Sequence, residues 1–218
     1  MPPKGVTQNG ELGTETQNMY LWRKMSEKQR GDAMTYRRTQ RFPKHSPPHF
    51  DFEGERRYLI TAACYEHLHI IGKSPKRMTD LEAGLLEVFE KFNAEIYAWC
   101  VLPNHYHILL KTEQIKALIK EIGLFHGRTS FNWNGEDNAR GRQVWHNCFE
   151  RAMKSSRHFF ASLNYVLHNP VHHGYCERWQ DWQWSNAQEY LEQTGIEKAA
   201  EIWREYPILD YGKKWDIY

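Results

Sequence analysis

The sequence predicts an α+β domain built on a four-stranded antiparallel sheet with helices on one face, and three observations lead there. From Arg57 onward, segments with strand and helix signatures follow in the order β-α-β-β-α-β, and a further helix comes after them. Two strand-like runs, AEIYAWCVL and HYHILLK, are separated only by Pro103 and Asn104, a turn dipeptide that folds them into an antiparallel hairpin. Each of the first two helical segments carries a single apolar stripe, as a helix lying on one face of a sheet requires. This order is a ferredoxin-like or RRM-like split βαβ plan, with helices on one face and the other left free for a ligand.

Taken in order, residues 1–19 hold three glycines, two prolines and little apolar surface, and are predicted to be a disordered tail. Residues 20–56 form a basic arm, in which Arg23, Lys24, Lys28, Arg30, Arg37, Arg38, Arg41 and Lys44 are opposed only by Glu27 and Asp32 before Pro48. Such an arm fits either phosphate contact or a solvated linker. Within it YLWRKMSEKQRGDAMTYRR is predicted as a short helix and FPKHSPPHF as extended chain.

A catalytic domain is assigned to residues 57–190. Arg57 to Tyr65 reads as a strand, and Thr79 opens a helix with Leu81, Leu85, Val88, Phe89 and Phe92 on one stripe. After the hairpin, Glu113 to about Phe125 reads as a helix with Ile115, Leu118, Ile119 and Ile122 on one face. FNWNGEDNARGR is predicted as a loop, QVWHNCFERAM as a kinked fourth strand, and Ser155 or Ser156 as the cap of a helix running to about His168. Residues 191–218 are expected to pack on the domain or extend it, with Trp179, Trp182 and Trp184 anchoring the tail.

Composition narrows the function classes. With 29 Lys+Arg against 27 Asp+Glu and a mean hydropathy of -0.79, the longest apolar runs, such as YAWCVLP, fall far short of the roughly 18 residues of a membrane-spanning helix. The amino terminus has no apolar core of a signal peptide, so a cytoplasmic location is expected. Cys64, Cys100, Cys148 and Cys176 form no C-x-x-C pair, which argues against a zinc ribbon and for buried thiols.

The chemistry concentrates in two segments. In the strand HYHILLK, His105 and His107 share one face while Tyr106, Ile108 and Leu110 take the helix-packed side. Paired imidazoles suit a divalent ion with coordination positions left for water and a phosphate oxygen, although an exposed sheet face also tolerates such residues. A second H-x-H, His67 and His69, shows how little the pair means alone. In NYVLHNPVHHGY, Tyr165 and Asn169 are four apart and lie on one side of a helix. Taken singly, they read as a core tyrosine and a helix stop before Pro170. Taken with the histidines, they read as a nucleophile and a third metal ligand. A tyrosyl oxygen with a reference pKa of about 10 needs a cation to compensate charge at the phosphate it attacks.

LPNHYHILL, VWHNCFERAM, YVLHNPVHHGY and DWQWSNAQEY occur in this order between about Arg57 and Tyr190. In motif and spacing the chain resembles the single-tyrosine HUH transposases, and most closely the REP-associated tyrosine transposases. It departs from them at the middle of the histidine motif, usually a bulky apolar residue and here Tyr106. The resemblance implies an HUH endonuclease fold with a tyrosine-bearing helix. It implies Mg²⁺ or Mn²⁺ held by His105, His107 and Asn169, and Tyr165 joined to a DNA 5′-phosphate. The activity would be a metal-dependent single-stranded DNA endonuclease and strand transferase acting on hairpin-forming, REP-like repeats, with a monomer slightly favoured. Arg37, Arg38 and Arg41 would contact the nucleic acid, and Tyr97 and Trp99 would stack unpaired bases unless another element covers that sheet face. The other readings are a domesticated, non-catalytic hairpin-binding protein, and a zinc-bound structural protein using Cys64, His67 and His69.

Overall fold

The computed structural model describes residues 56–208. The tail 1–19, the basic arm with Arg37, Arg38 and Arg41, the short helix and extended segment expected in that arm, and residues 209–218 lie outside the described residues.

Four strands, β1 (Arg57–Ala63), β2 (Glu95–Val101), β3 (His105–Lys111) and β4 (Phe149–Ala152), form one antiparallel sheet in the order β2-β3-β1-β4. Helix α1 (Pro75–Lys91) connects β1 to β2 and helix α2 (Ile115–Glu136) connects β3 to β4. Both connections jump over a central strand, which is the split βαβ topology expected from the sequence. Helix α3 (Ser156–His172) follows β4, helix α4 (Ala187–Thr194) runs across the boundary drawn at residue 190, and helix α5 (Ile196–Glu205) lies beyond it.

The main core fills the face of the sheet that α1 and α2 cover. Ile60, Ala62, Tyr106, Ile108 and Leu110 of the strands pack with Leu81, Leu85, Val88 and Phe89 of α1 and Ile115, Leu118 and Ile122 of α2. The opposite face is not open to a ligand, because α3 packs over β2 and β3. A Phe-Phe-Ala-Ser-Leu helix offers too much apolar surface to leave in water, and Phe159, Leu163 and Val166 are buried there.

Several boundaries differ from the sequence reading. Helix α1 starts four residues before Thr79, at Pro75: Ser74 is the N-cap, its hydroxyl accepting from the Arg77 N–H at 3.2 Å, and Pro75 occupies the first turn. Helix α2 continues through FNWNGE, read as loop, because Trp133 enters the core and Arg77 bridges Glu136 (2.6 Å) and Asp137 (2.7 Å) at the helix end. The fourth strand is shorter than QVWHNCFERAM; Trp145 makes one isolated bridge to Cys64 before β4 begins. Helix α3 is capped by Ser155, which accepts from the His158 N–H at 3.1 Å, and runs four residues past His168. Pro170 removes only its own N–H, and the last turn is closed by the His173 N–H to Asn169 O (3.0 Å) and the Tyr175 N–H to Pro170 O (2.9 Å).

The tryptophan-rich segment protects the edge of β2. Val101 N–H donates to Trp184 O at 2.9 Å, the Trp182 indole donates to Val101 O at 2.9 Å, and the Trp99 N–H donates to Asn186 Oδ1 at 3.0 Å. An edge strand so covered has no unpaired row to offer another chain.

Candidate metal and nucleophile site

The period of β3 places His105 and His107 together on the face that α3 covers, 5.0 Å between ring centroids. Helix α3 lies over them with Tyr165 and Asn169 one turn apart. Tyr165 Oη is 3.2 Å from His107 Nε2, and Asn169 Oδ1 is 3.1 Å from His105 Nε2. The four side chains named by the sequence reading therefore meet at one point. All are buried, with Tyr165 1%, His105 3%, His107 0% and Asn169 0% exposed.

The outer nitrogens of both imidazoles are held by residues that sequence reasoning missed. Thr61, directly across from His107 in the β1–β3 register, places its hydroxyl 2.8 Å from His107 Nδ1. Asn104 Nδ2 donates to His67 O at 3.1 Å, which turns Asn104 Oδ1 toward His105 Nδ1 at 2.7 Å. That arrangement assigns the proton of neutral His105 to Nδ1 and leaves a lone pair on Nε2. Burial, with His107 and His173 alongside, holds the His105 pKa well below the usual imidazole value, so the ring is neutral. Asn104 was legible only as a turn residue. Its position next to His105 was the one available signal.

This geometry tests whether a cation fits. An imidazole lone pair on His105 Nε2 faces the amide oxygen of Asn169, and among the described residues Asn169 Nδ2 has no hydrogen-bond partner. Rotating the amide would pair Nδ2 with Nε2. A divalent ion would instead satisfy both lone pairs, and imidazole nitrogens with an amide oxygen are a donor set such an ion accepts. The residues present fit the ion. Among the described residues no group of three or more His, Cys, Asp or Glu side chains could hold a metal, so Cys64, His67 and His69 do not assemble the alternative zinc site.

Tyr97 and Trp99 part company. A bulge between Ile96 and Ala98 breaks the alternation of β2, so Tyr97 meets Phe159 of α3 edge-on at 5.0 Å. Trp99 points to the other face, where its indole donates to Glu82 of α1 at 2.8 Å. They do not form one stacking surface, and Tyr97 lies beneath α3. The tail anchors, by contrast, do pack on the body: Trp182 and Trp184 lie against the core, and Trp179 lies 4.8 Å from His168 of α3.

A split βαβ sheet that presents an H-x-H pair to a helix-borne tyrosine and asparagine has the architecture of the HUH transposases with a single tyrosine. The chain belongs to the IS200-like transposase family, whose profile matches residues 57–169. It is 26% identical over 127 residues to a Haemophilus influenzae protein named as a candidate REP-associated tyrosine transposase, covering 50% of this chain and 68% of that one. A solved structure of a REP-associated tyrosine transposase bound to a REP hairpin shares the fold, with a TM-score of 0.51 and 17% identity over 68% of this chain and 86% of the other. A candidate transposase of Deinococcus radiodurans matches at a TM-score of 0.37 and 14% identity, over 56% of this chain and 96% of that one. No helix among the described residues is long and apolar enough to cross a membrane.

Proposed function

We propose that this transposase nicks and rejoins single-stranded DNA of hairpin-forming, REP-like repeats through a 5′-phosphotyrosine, with His105, His107 and Asn169 holding Mg²⁺ or Mn²⁺ and Tyr165 as nucleophile. The observation that carries the reading is the meeting of Tyr165 Oη, His107 Nε2, His105 Nε2 and Asn169 Oδ1 within hydrogen-bonding distances in one buried cluster. The hairpin substrate rests on similarity to relatives named for REP elements.

Tyr165 Oη attacks phosphorus as the bond to the 3′ oxygen breaks. The 5′-phosphate stays on the tyrosine, and the proton lost by the phenol is balanced by the one gained at the departing 3′-OH. A 3′-OH from another strand reverses the exchange, so the phosphodiester energy is conserved. A bound divalent ion supplies a positive field that offsets charge at the scissile phosphate. Asn104 and Thr61 keep the imidazoles aimed, and α3 orients the phenol toward His107. With Tyr165 1% exposed, the phosphate reaches it only after the site opens. That burial is also the one observation favouring a non-catalytic hairpin-binding protein.

The test is incubation of wild type and Tyr165→Phe with a labelled single-stranded repeat hairpin and Mn²⁺. Wild type is expected to give a covalent adduct stable on a denaturing gel. The variant is expected to give none, with hairpin affinity within a few-fold of wild type, since only the attacking oxygen is lost. An adduct in the variant removes Tyr165 from the role, and hairpin binding without any wild-type adduct establishes the non-catalytic reading.

A further inference from the structure

Helix α2 is apolar on two sides. Ile115, Leu118, Ile122 and Trp133 enter the core, while on the opposite side Ala117, Lys120, Leu124, Gly127 and Phe131 alternate at intervals of three and four residues, one stripe of the helical period. All of these are exposed, and the two large apolar ones are conspicuously so, Leu124 at 54% and Phe131 at 67%. The Phe131 ring is also held in place: the Arg140 guanidinium lies 4.3 Å from its centroid and donates to Phe131 O at 2.7 Å. Exposed apolar side chains scattered singly are ordinary, but two on one helix stripe, interleaved with an alanine and a glycine, are the knobs and gaps of a helix-packing surface. A Cβ placed on Gly127 would meet nothing within 4 Å, so that gap is empty.

The stripe is complementary to itself. In an antiparallel pair of α2 helices with a two-fold axis at Leu124, residues equally far before and after Leu124 come opposite each other. Leu124 then meets its own copy, and the ring of Phe131 lies over the small side chain of Ala117. On one flank Arg128 comes opposite Glu121, whose only printed ion pair is a loose one to Lys91 at 3.7 Å. On the other flank the stem of Lys120 crosses the gap at Gly127. Each contact occurs twice, so opposite charges and large-against-small surfaces coincide in one register. A parallel pair would set Phe131 against Phe131 and Ala117 against Ala117, wedging one end open and leaving the other unfilled.

We propose that a second copy of this chain covers the stripe, through an antiparallel α2 pair centred on Leu124, in place of the monomer that the resemblance favours. An interface of one helix from each copy is small, below the roughly 1,200 Å² of stable complexes, so the dimer is weak and reversible. Because α2 and α3 lie on opposite faces of the sheet, the pair turns its two candidate metal sites outward and leaves each free to take a hairpin. The pairing stands on α2 alone; only this last consequence rests on the DNA-nicking reading.

The experiment is sedimentation equilibrium of the full chain without DNA, through the micromolar range of concentration. The wild-type mass is expected to rise with concentration from 26.1 kDa toward twice that value. Leu124→Arg sets two cations together at the axis, and Arg128→Glu sets a carboxylate against Glu121. Each should stay at 26.1 kDa throughout and melt like wild type, since both positions are exposed. Adding Glu121→Arg to Arg128→Glu exchanges the two charges and should restore the concentration dependence, a rescue that a misfolded variant would not give. A wild type that stays at 26.1 kDa overturns the proposal, whatever else covers the stripe. Association that survives Leu124→Arg also overturns it, by placing the contact elsewhere, and a charge exchange that fails to restore the dimer overturns the antiparallel register. An absent DNA adduct bears only on the nicking reading.

Discussion

The sheet carries a buried tyrosine–histidine hydrogen bond on each face, and the two differ in the groups that surround the pair. On the side of α1 and α2, Tyr106 Oη and His126 Nε2 are 3.0 Å apart, and His126 stacks on Trp145 at 4.0 Å with an interplanar angle of 8°. Burial pushes the His126 pKa down to about 3 and that of Tyr106 well up, so both groups are neutral and sealed. On the side of α3, Tyr165 and His107 are 3.2 Å apart, but their neighbours are His105 and Asn169, whose lone pairs face each other. A buried Tyr–His pair is therefore not a catalytic signature. Convergence of donor atoms that cannot satisfy one another is the distinguishing feature.

The largest expected effect breaks the second pair. His105→Ala and His107→Ala should each lose divalent-metal binding, measured by calorimetric titration, together with adduct formation. His67→Ala and His69→Ala should retain metal binding and the adduct at saturating DNA. Equal loss from either H-x-H in folded protein would mean that the metal sits elsewhere.

A smaller effect is expected at Asn169, whose neutral amide oxygen is the weakest of the three donors. Asn169→Ala should weaken metal affinity by about 10- to 100-fold, in the range seen when partners of metal sites are removed, and high Mn²⁺ should partly restore cleavage. The structure removes one competing explanation, since α3 continues through Pro170 to His172 and does not stop at Asn169. If the variant melts earlier yet titrates metal and cleaves like wild type, the amide is structural.

The contrast also explains what could be read from the sequence. The alternation in HYHILLK and the four-residue spacing of Tyr165 and Asn169 are local periods, and the fold keeps both, so the cluster was legible before any coordinates. The bulge at Tyr97 was not, because alternation along β2 predicts one face for Tyr97 and Trp99 and only pairing with β3 reveals the extra residue. The continuation of α2 through FNWNGE depends on Arg77, about 60 positions away, reaching Glu136 and Asp137. Thr61 and Asn104 acquire their roles only once β1 pairs with β3 and the turn folds back on His67. Long-range pairing decided each of these, and local pattern cannot encode it.

The smallest effect sharpens the comparison from the sealed side. His126 has a folded pKa of about 3 against an unfolded value of about 6.5. Above about 6.5 the ring is neutral in both states and costs nothing. Below that the unfolded chain takes up a proton that the folded one refuses until about pH 3, so stability falls with acidification by up to about 1.4 kcal/mol per pH unit for this group. The double variant Tyr106→Phe/His126→Phe replaces both partners with apolar rings of similar shape, a change that is close to neutral when no buried polar atom is left behind. Its melting temperature should match wild type near pH 7.5 and fall less between pH 6.5 and 4.5, while adduct formation is unchanged. Loss of the adduct would show that the two faces are coupled through β3. An identical pH slope would mean that acid sensitivity arises elsewhere, with His168 of α3, whose pKa burial pushes down to about 4, the next residue to replace.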